Sequence, residues 1–206
     1  MASTIQTDPA SAHRAGSLLA RAFHDDAMFC AVQPDPDGRR RVLPWFFTAA
    51  ARLGLGGGEL HMLDHDAGAA IWLPPGDGKL GPRAIVRSGL AQVPFRFGPR
   101  AFRRFARITG NFDSVREAVV HQPYWHLFIL GVEPEHQRRG LGGELIAPVL
   151  ARADHAGVRC YLETSEEHNV PFYERHGFAV TGGRRDPDGV PPFWPMLRQP
   201  APGRKD

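Results

Sequence analysis

The chain has 206 residues, 42% of them hydrophobic and 23% charged, with a net charge of +3. That is the length of one ordinary domain, and the balance excludes a disordered chain. Its two cysteines, Cys30 and Cys160, are too few for a disulfide framework and too far apart for a zinc finger, so free buried thiols and no metal site are expected.

The N-terminus, Met1 to Gln6, has neither a basic region nor an apolar run, so no signal peptide is read there. Stretches such as Leu127-Phe128-Ile129-Leu130 are far too short to span a bilayer, and a cytoplasmic protein without a membrane partner is the expectation. Ala10 to Phe23 predicts a first helix, with Leu18, Leu19, Ala22 and Phe23 on one stripe. Arg39 to Leu53 predicts a second on Val42, Leu43, Phe46, Phe47 and Ala50, ended by Gly54-Leu55-Gly56-Gly57-Gly58. Glu59 to Leu63 and Ala67 to Leu73 read as strands joined by Asp64-His65-Asp66, a polar turn of the hairpin type. Pro74-Pro75-Gly76 stops the second strand.

Residues 79–122 read as helical segments broken at Pro94 and at Gly98-Pro99. Lys79, Arg83, Arg87, Arg96, Arg100, Arg103, Arg104 and Arg107 fall here, with no acid between Asp77 and Asp113. A nucleic-acid patch is the sharper reading of that run. The interleaved Phe95, Phe97, Phe102, Phe105 and Ile108 favour an amphipathic helix with a solvated arginine face, so no nucleic-acid partner is expected.

Beyond Pro123 the pattern sharpens. Trp125 to Val132 is apolar, aromatic and β-branched, a buried strand. Leu141 to Ala156 predicts a helix on Leu145, Ile146, Val149, Leu150 and Ala153, closed by Gly157. Pro148 inside it should cost about 3 kcal/mol and kink it. Arg159 to Thr164 is a strand, and Val170 to His176 a short helix with Pro171 in its first turn. Phe178 to Thr181 and Phe193 to Arg198 are the last strands, linked by a loop containing Asp186-Pro187-Asp188-Gly189. A strand–helix–strand unit of this length implies a parallel pair with a right-handed crossover, so the fold class is α/β in one domain.

The chemistry concentrates between the strand ending at Val132 and the helix starting near Leu141. There Glu133-Pro134-Glu135-His136-Gln137-Arg138-Arg139-Gly140 feeds a helix N-terminus, where unpaired N–H groups and the helix dipole favour a diphosphate. Gly140 and Gly142 would let the backbone approach phosphates without a Cβ in the way. Three cofactors compete for such a turn. A P-loop needs Gly-Lys-Ser/Thr, which the chain lacks. A dinucleotide fingerprint needs a third glycine where Leu145 stands, although Glu163 on the next strand keeps a ribose partner in play. Acyl-CoA is the third.

Gln137-Arg138-Arg139-Gly140-Leu141-Gly142 resembles the Gln/Arg-x-x-Gly-x-Gly/Ala signature of the GNAT acetyltransferase superfamily, between strand and helix where that family places it. Asn169-Val170-Pro171-Phe172-Tyr173-Glu174-Arg175-His176-Gly177-Phe178 resembles its second signature. Trp125 to Phe178, with Leu162-Glu163-Thr164-Ser165 and Asp25, is most similar to the puromycin N-acetyltransferase-like members. The resemblance weakens between Gly76 and His121. It implies a GNAT fold over residues 2–200: a mixed twisted sheet of about seven strands flanked by helices, a helical insertion between strands 3 and 4, and a disordered tail at 201–206.

By the same resemblance, acetyl-CoA is the donor, with no metal. Its contacts would be Leu130, Gly131 and Val132 on the central strand, the turn Gln137, Arg138, Arg139, Gly140, Leu141, Gly142 and Gly143, and Asn169 and Phe172. Tyr173 matches the tyrosine many members use as acid toward the CoA sulfur, against a plain packing role. His126 stands where histone-acetylating relatives carry a catalytic glutamate, and an imidazole suits that task. His121, Glu133 and Glu163 are lesser candidates, and a water chain is an alternative base. Asn169 is also a good cap for the helix after it. Phe29, Trp45, Phe46 and Trp72 read as an acceptor pocket or as core.

The function implied is acetyl transfer to a primary amine of an antibiotic-like small molecule in a ternary complex. Acetylation of a protein lysine or N-terminus, a non-catalytic CoA-binding sensor and a nucleic-acid module are the rivals. A homodimer is among the assemblies the resemblance allows.

Overall fold

The computed structural model describes residues 3–76, 81–121, 123–182 and 191–201. The loop Asp186 to Gly189, Lys79 and the tail beyond residue 201 lie outside them. The N-terminal half runs β1 (Ser3–Gln6), α1 (Pro9–Ala22), α2 (Ala27–Val32), α3 (Pro36–Gly57), β2 (Glu59–Leu63) and β3 (Gly68–Leu73). The insertion α4 (Pro82–Ser88) and α5 (Val93–Val119) follows, then β4 (Tyr124–Val132), α6 (Leu141–Ala156), β5 (Arg159–Thr164), α7 (Val170–Arg175), β6 (Phe178–Val180) and β7 (Trp194–Arg198). The strands form one mixed sheet in the order β1-β2-β3-β4-β5-β7-β6. Among the described residues only β4 and β5 pair in parallel, as the strand–helix–strand spacing requires.

Both faces of the sheet are covered, and β3 shows why. Ala69 and Ile71 pack with α1, α3 and α5, while Ala70 and Trp72, pointing the other way, pack with α6. Gly131 on β4 sits beneath α1, and a Cβ there would come 2.6 Å from Leu19 Cδ2. The helix reaches the sheet because that position carries no side chain.

Several local expectations are corrected. β1 and α2 were not legible: a four-residue edge strand leaves no period, and α2 is started by Asp26, whose side chain accepts from the N–H groups of Met28 and Phe29. The glycine run does not stop the second helix at Leu53; α3 continues to Gly57, with Gly54 close against Glu59 and Ile71. Asp64-His65-Asp66 does join the antiparallel pair β2 and β3, as a 3-10 turn with positive φ at His65 and Asp66. Pro94 lies in the first turn of α5, where proline is accommodated, and the break falls at Gly98 (φ 76°). Pro148 lies on the exposed side of α6, and the helix runs on through it from Leu141 to Ala156. Cys160 is buried, but Cys30 is half-buried.

Arg96, Arg100, Arg103, Arg104 and Arg107 of α5 are exposed while Phe97, Ala101 and Ile108 are buried, as the amphipathic reading expects, although Phe95 is exposed too. Among the described residues no helix is long and apolar enough to cross a membrane.

Candidate active site

Parallel pairing of β4 with β5 stops at His126–Tyr161, although both strands continue. The two splay apart, and a bulge at Phe128 bends β4 further. The N–H of Glu133 donates to Ala67 on the β3 side. Strand alternation then turns Gly131 toward β3 as well, and turns the backbone groups of Leu130 and Val132 into the gap. Of the three β4 residues expected to contact a cofactor, Gly131 therefore serves packing, while Leu130 and Val132 face the opening.

A cavity of about 180 Å³ fills the gap, walled by β4, the end of β5, α7, α2, α3 and α5. His126 lies on its wall, 5% exposed, with Nε2 3.0 Å from Glu163 Oε2. Arg116 reaches in from α5, placing Nη1 3.5 Å from Glu163 Oε1, and also pairs with Asp113. Burial works against the Arg116 cation, but the two carboxylates outweigh it and raise its pKa. His126, Glu163 and Arg116 thus form one hydrogen-bonded chain across three elements. Glu163 is engaged there and is not free as a ribose partner. His121 is exposed, and Glu133 is held by Arg21 at 2.6 and 2.9 Å. Neither stands at the cavity.

Tyr173 of α7 also lines the cavity, buried and with its phenol pushed well above the usual tyrosine range by burial and then by the charge of Asp26. Among the described residues its hydroxyl has no hydrogen-bond partner. Asp26 itself is pushed up to about 6, by burial first and by Glu166 second, with the Met28 and Phe29 amides pulling the other way. Glu166 in turn accepts from the Ala27 N–H at 2.9 Å. Asp25, the residue singled out from sequence, instead turns outward with its side chain 83% exposed and paired to Arg39. Asn169 also lines the cavity; it makes no capping hydrogen bond to α7, so the cap expectation is not met.

The turn at 133–143 follows directly on β4, past the point where its pairing with β5 has ended. Gln137 Nε2 donates to the Val132 carbonyl at 3.3 Å, pinning the turn to β4. Among the described residues no backbone carbonyl accepts from the N–H groups of Arg138, Arg139, Gly140, Leu141 or Gly142, whereas those of Gly143 and Glu144 bond to Gly140. Arg138 and Arg139 are exposed and unpaired there, Arg138 with φ 61° and Gly140 with φ 83°. Five free amides, a helix start and two cations suit a diphosphate. Gly142 and Gly143 are needed for packing: a Cβ on Gly142 would come 3.1 Å from Phe172 Cζ, and one on Gly143 2.9 Å from His176 Nε2. Phe172 is accordingly the wedge between α6 and α7.

Phe29 and Phe46 line the cavity, but Trp72 is buried on the other face of the sheet and Trp45 lies under Arg96. Asp26, Asp113, Arg116 and Glu166 were missed from sequence because each reads as an ordinary surface charge. The one available signal was Asp26 beginning Asp-Ala-Met-Phe, a capping pattern.

Residues 104–178 match the acetyltransferase (GNAT) family. An uncharacterized N-acetyltransferase of Schizosaccharomyces pombe is 29% identical over 91% of this chain and 79% of its own. A histone acetyltransferase and related acetyltransferase from Corynebacterium glutamicum superposes over 99% of both chains with TM-score 0.63 at 22% identity. The polyamine N-acetyltransferase of Drosophila melanogaster superposes over 96% of this chain and 99% of its own, TM-score 0.61, at 15% identity. These two likenesses are of fold. Matched segment, relative and fold together support the GNAT acetyltransferase superfamily and, with it, an acyltransferase.

Proposed function

We propose that this acyltransferase moves an acetyl group from acetyl-CoA directly to a primary amine of a small molecule, with both bound at once. The observation that carries the reading is that His126, backed by Glu163, and Tyr173, whose hydroxyl has no hydrogen-bond partner among the described residues, line one cavity beside β4, and that β4 runs on into the amide-lined turn. The amine acetylated by the Drosophila melanogaster neighbour and the family match support the acceptor class.

The donor would be held by the amides of Arg138 to Gly142 and by Arg138 and Arg139 at its diphosphate, and by Leu130, Val132 and Asn169 along the gap. Acetyl-CoA supplies an acyl group already activated as a thioester. His126 takes the proton of the attacking amine, and Glu163 steadies the imidazolium. A β4 N–H turned into the gap stabilises the carbonyl oxygen as charge builds on it. As the C–N bond forms and the C–S bond breaks, Tyr173 gives its proton to the departing sulfur. Burial keeps that phenol protonated for the task. The walled cavity favours a small molecule over a protein lysine, which would need an open groove.

An amine panel scored by free thiol release, with acetyl-CoA affinity measured by calorimetry, tests the reading. Saturable turnover on small primary amines is expected. Tight acetyl-CoA binding without turnover on any amine would replace it with a CoA-binding sensor.

A further inference from the structure

α5 presents two opposed faces. Phe105, Phe112 and Arg116 wall the candidate active site, while Arg100, Arg103, Arg104 and Arg107 share the other side of the helix and are exposed. Among the described residues no carboxylate pairs with any of these four arginines, and the sequence holds no acid between Asp77 and Asp113. Like charges at three- and four-residue spacing repel one another, so the bare face disfavours its own helix. An anion laid against it would remove that repulsion.

This face is not uniform. A cleft of about 290 Å³ opens in it where α5 breaks at Gly98, beside the end of α2. Arg100 and Arg104 border the cleft one helical turn apart, and Gln33, just past α2, lines it too. Arg104 Nη1 donates to the Val32 carbonyl at 3.3 Å, which holds the guanidinium against the α2 end. Its other N–H groups, and all those of Arg100, have no partner among the described residues. The carboxylates nearest to Gln33 in sequence, Asp35 and Asp37, are taken up by Arg41, Arg40 and the first amides of α3. Phe97, Pro99 and Ala101 give the rest of the lining an apolar character.

We propose that this cleft binds a phosphate monoester. Its dianion accepts from the guanidinium groups of Arg100 and Arg104 and from the Gln33 amide, and its ester group lies against Phe97, Pro99 and Ala101. So placed, it bridges α2 and α5, both of which also wall the candidate active site. The cleft is separate from the amide-lined turn. α5 packs on the sheet face that carries Ile71, and α6, which the turn begins, packs on the face that carries Trp72. The inference therefore goes beyond acetyl transfer and needs no turnover to be tested.

The experiment titrates phenyl phosphate and inorganic phosphate into the protein saturated with CoA, by calorimetry at low salt. Saturable binding at one site is expected. Arg100→Ala should weaken it by about 10-fold or more, the scale of one charge-assisted hydrogen bond. Arg103→Ala and Arg107→Ala, on the same helix face but outside the cleft, should change it by less than about 3-fold, as screened surface charges do. Should Arg100→Ala fold poorly, Arg100→Gln takes its place. Vesicles of phosphatidylcholine with and without phosphatidic acid separate the sources of the ester. Capture that requires both phosphatidic acid and Arg100 assigns a lipid headgroup, and binding of phenyl phosphate without capture assigns a soluble ester. Equal weakening by all three alanine variants overturns the inference in favour of diffuse attraction. Single-stranded RNA that binds more tightly than phenyl phosphate and loses as much in Arg103→Ala as in Arg100→Ala overturns it too, making the face a nucleic-acid surface. Failure of both phosphates to bind overturns it outright.

Discussion

His126 Nε2 and Glu163 Oε2 stand 3.0 Å apart in the wall of the cavity, with Arg116 on the far oxygen of Glu163 at 3.5 Å. The imidazole is thereby oriented by a carboxylate that is itself fixed from α5. If His126 accepts the amine proton, His126→Ala should lower kcat by about 10²–10⁴, the usual share of a general base. The deficit should narrow at alkaline pH, where more of the amine arrives unprotonated. Glu163→Gln keeps the size and the hydrogen bond but removes the charge, and a smaller fall of about 5- to 10-fold is expected, the difference between a charge-assisted and a neutral bond. Steady-state thiol release with acetyl-CoA affinity by calorimetry checks both. Unchanged kcat in His126→Ala would pass the base role to water.

The Tyr173 hydroxyl has no partner among the described residues, in a place where burial and the Asp26 charge disfavour the phenolate. The group is a proton donor at every working pH. Tyr173→Phe should therefore lower kcat by about 10²-fold while leaving acetyl-CoA affinity nearly intact, since the ring keeps its contact with Phe172 and Phe178. Parallel loss of kcat and acetyl-CoA affinity would instead mark Tyr173 as a packing residue.

How far the site could be read from sequence follows from where each signal lies. The turn and α6 were legible because their information is local: the stripe Leu145, Ile146, Val149 and Gly140 at a helix start need no distant partner. His126 was found through a strand position, and it lies on the wall of the cavity. The chain Asp113–Arg116–Glu163–His126 was not legible, because Arg116 and Glu163 are 47 residues apart and meet only when the insertion folds over the gap. Asp26 was passed over in favour of its neighbour Asp25, and one residue of phase in a short unrecognised helix decides which carboxylate turns inward. Gly142 was read for phosphate access and proves to be needed for the Phe172 ring.

Gly140 should behave differently from Gly142. At φ 83° the backbone favours glycine, yet a Cβ there would meet nothing within 4 Å. Gly140→Ala therefore carries only the conformational cost, about 1–2 kcal/mol, which lowers Tm by about 2–8 °C in a domain of this size. Because the amides on either side face the expected diphosphate, acetyl-CoA affinity should fall by more than the same variant's loss of stability would cause. Thermal melts with and without acetyl-CoA separate the two. An affinity loss absent from Gly140→Ala would detach this turn from donor binding.

Asp26 makes stability depend on pH in a defined direction. Its carboxyl is pushed up from 3.8 to about 6 by burial and then by Glu166. The folded state thus binds a proton more tightly than the unfolded chain does. The stabilisation this confers is complete below about pH 4 and is lost as pH rises through 6. Two pKa units correspond to about 2–3 kcal/mol, or about 4–10 °C in Tm for a chain of this length. Asp26→Asn keeps a capping oxygen for the Met28 and Phe29 amides but has no charge to desolvate. Its Tm should match the parent near pH 4 and exceed it above pH 7. Glu166→Gln should move the parent's transition to lower pH, since one source of the shift is removed. Melting curves from pH 4 to 8 decide it, and a constant offset between Asp26→Asn and the parent across that range would mean that the carboxyl does not titrate there.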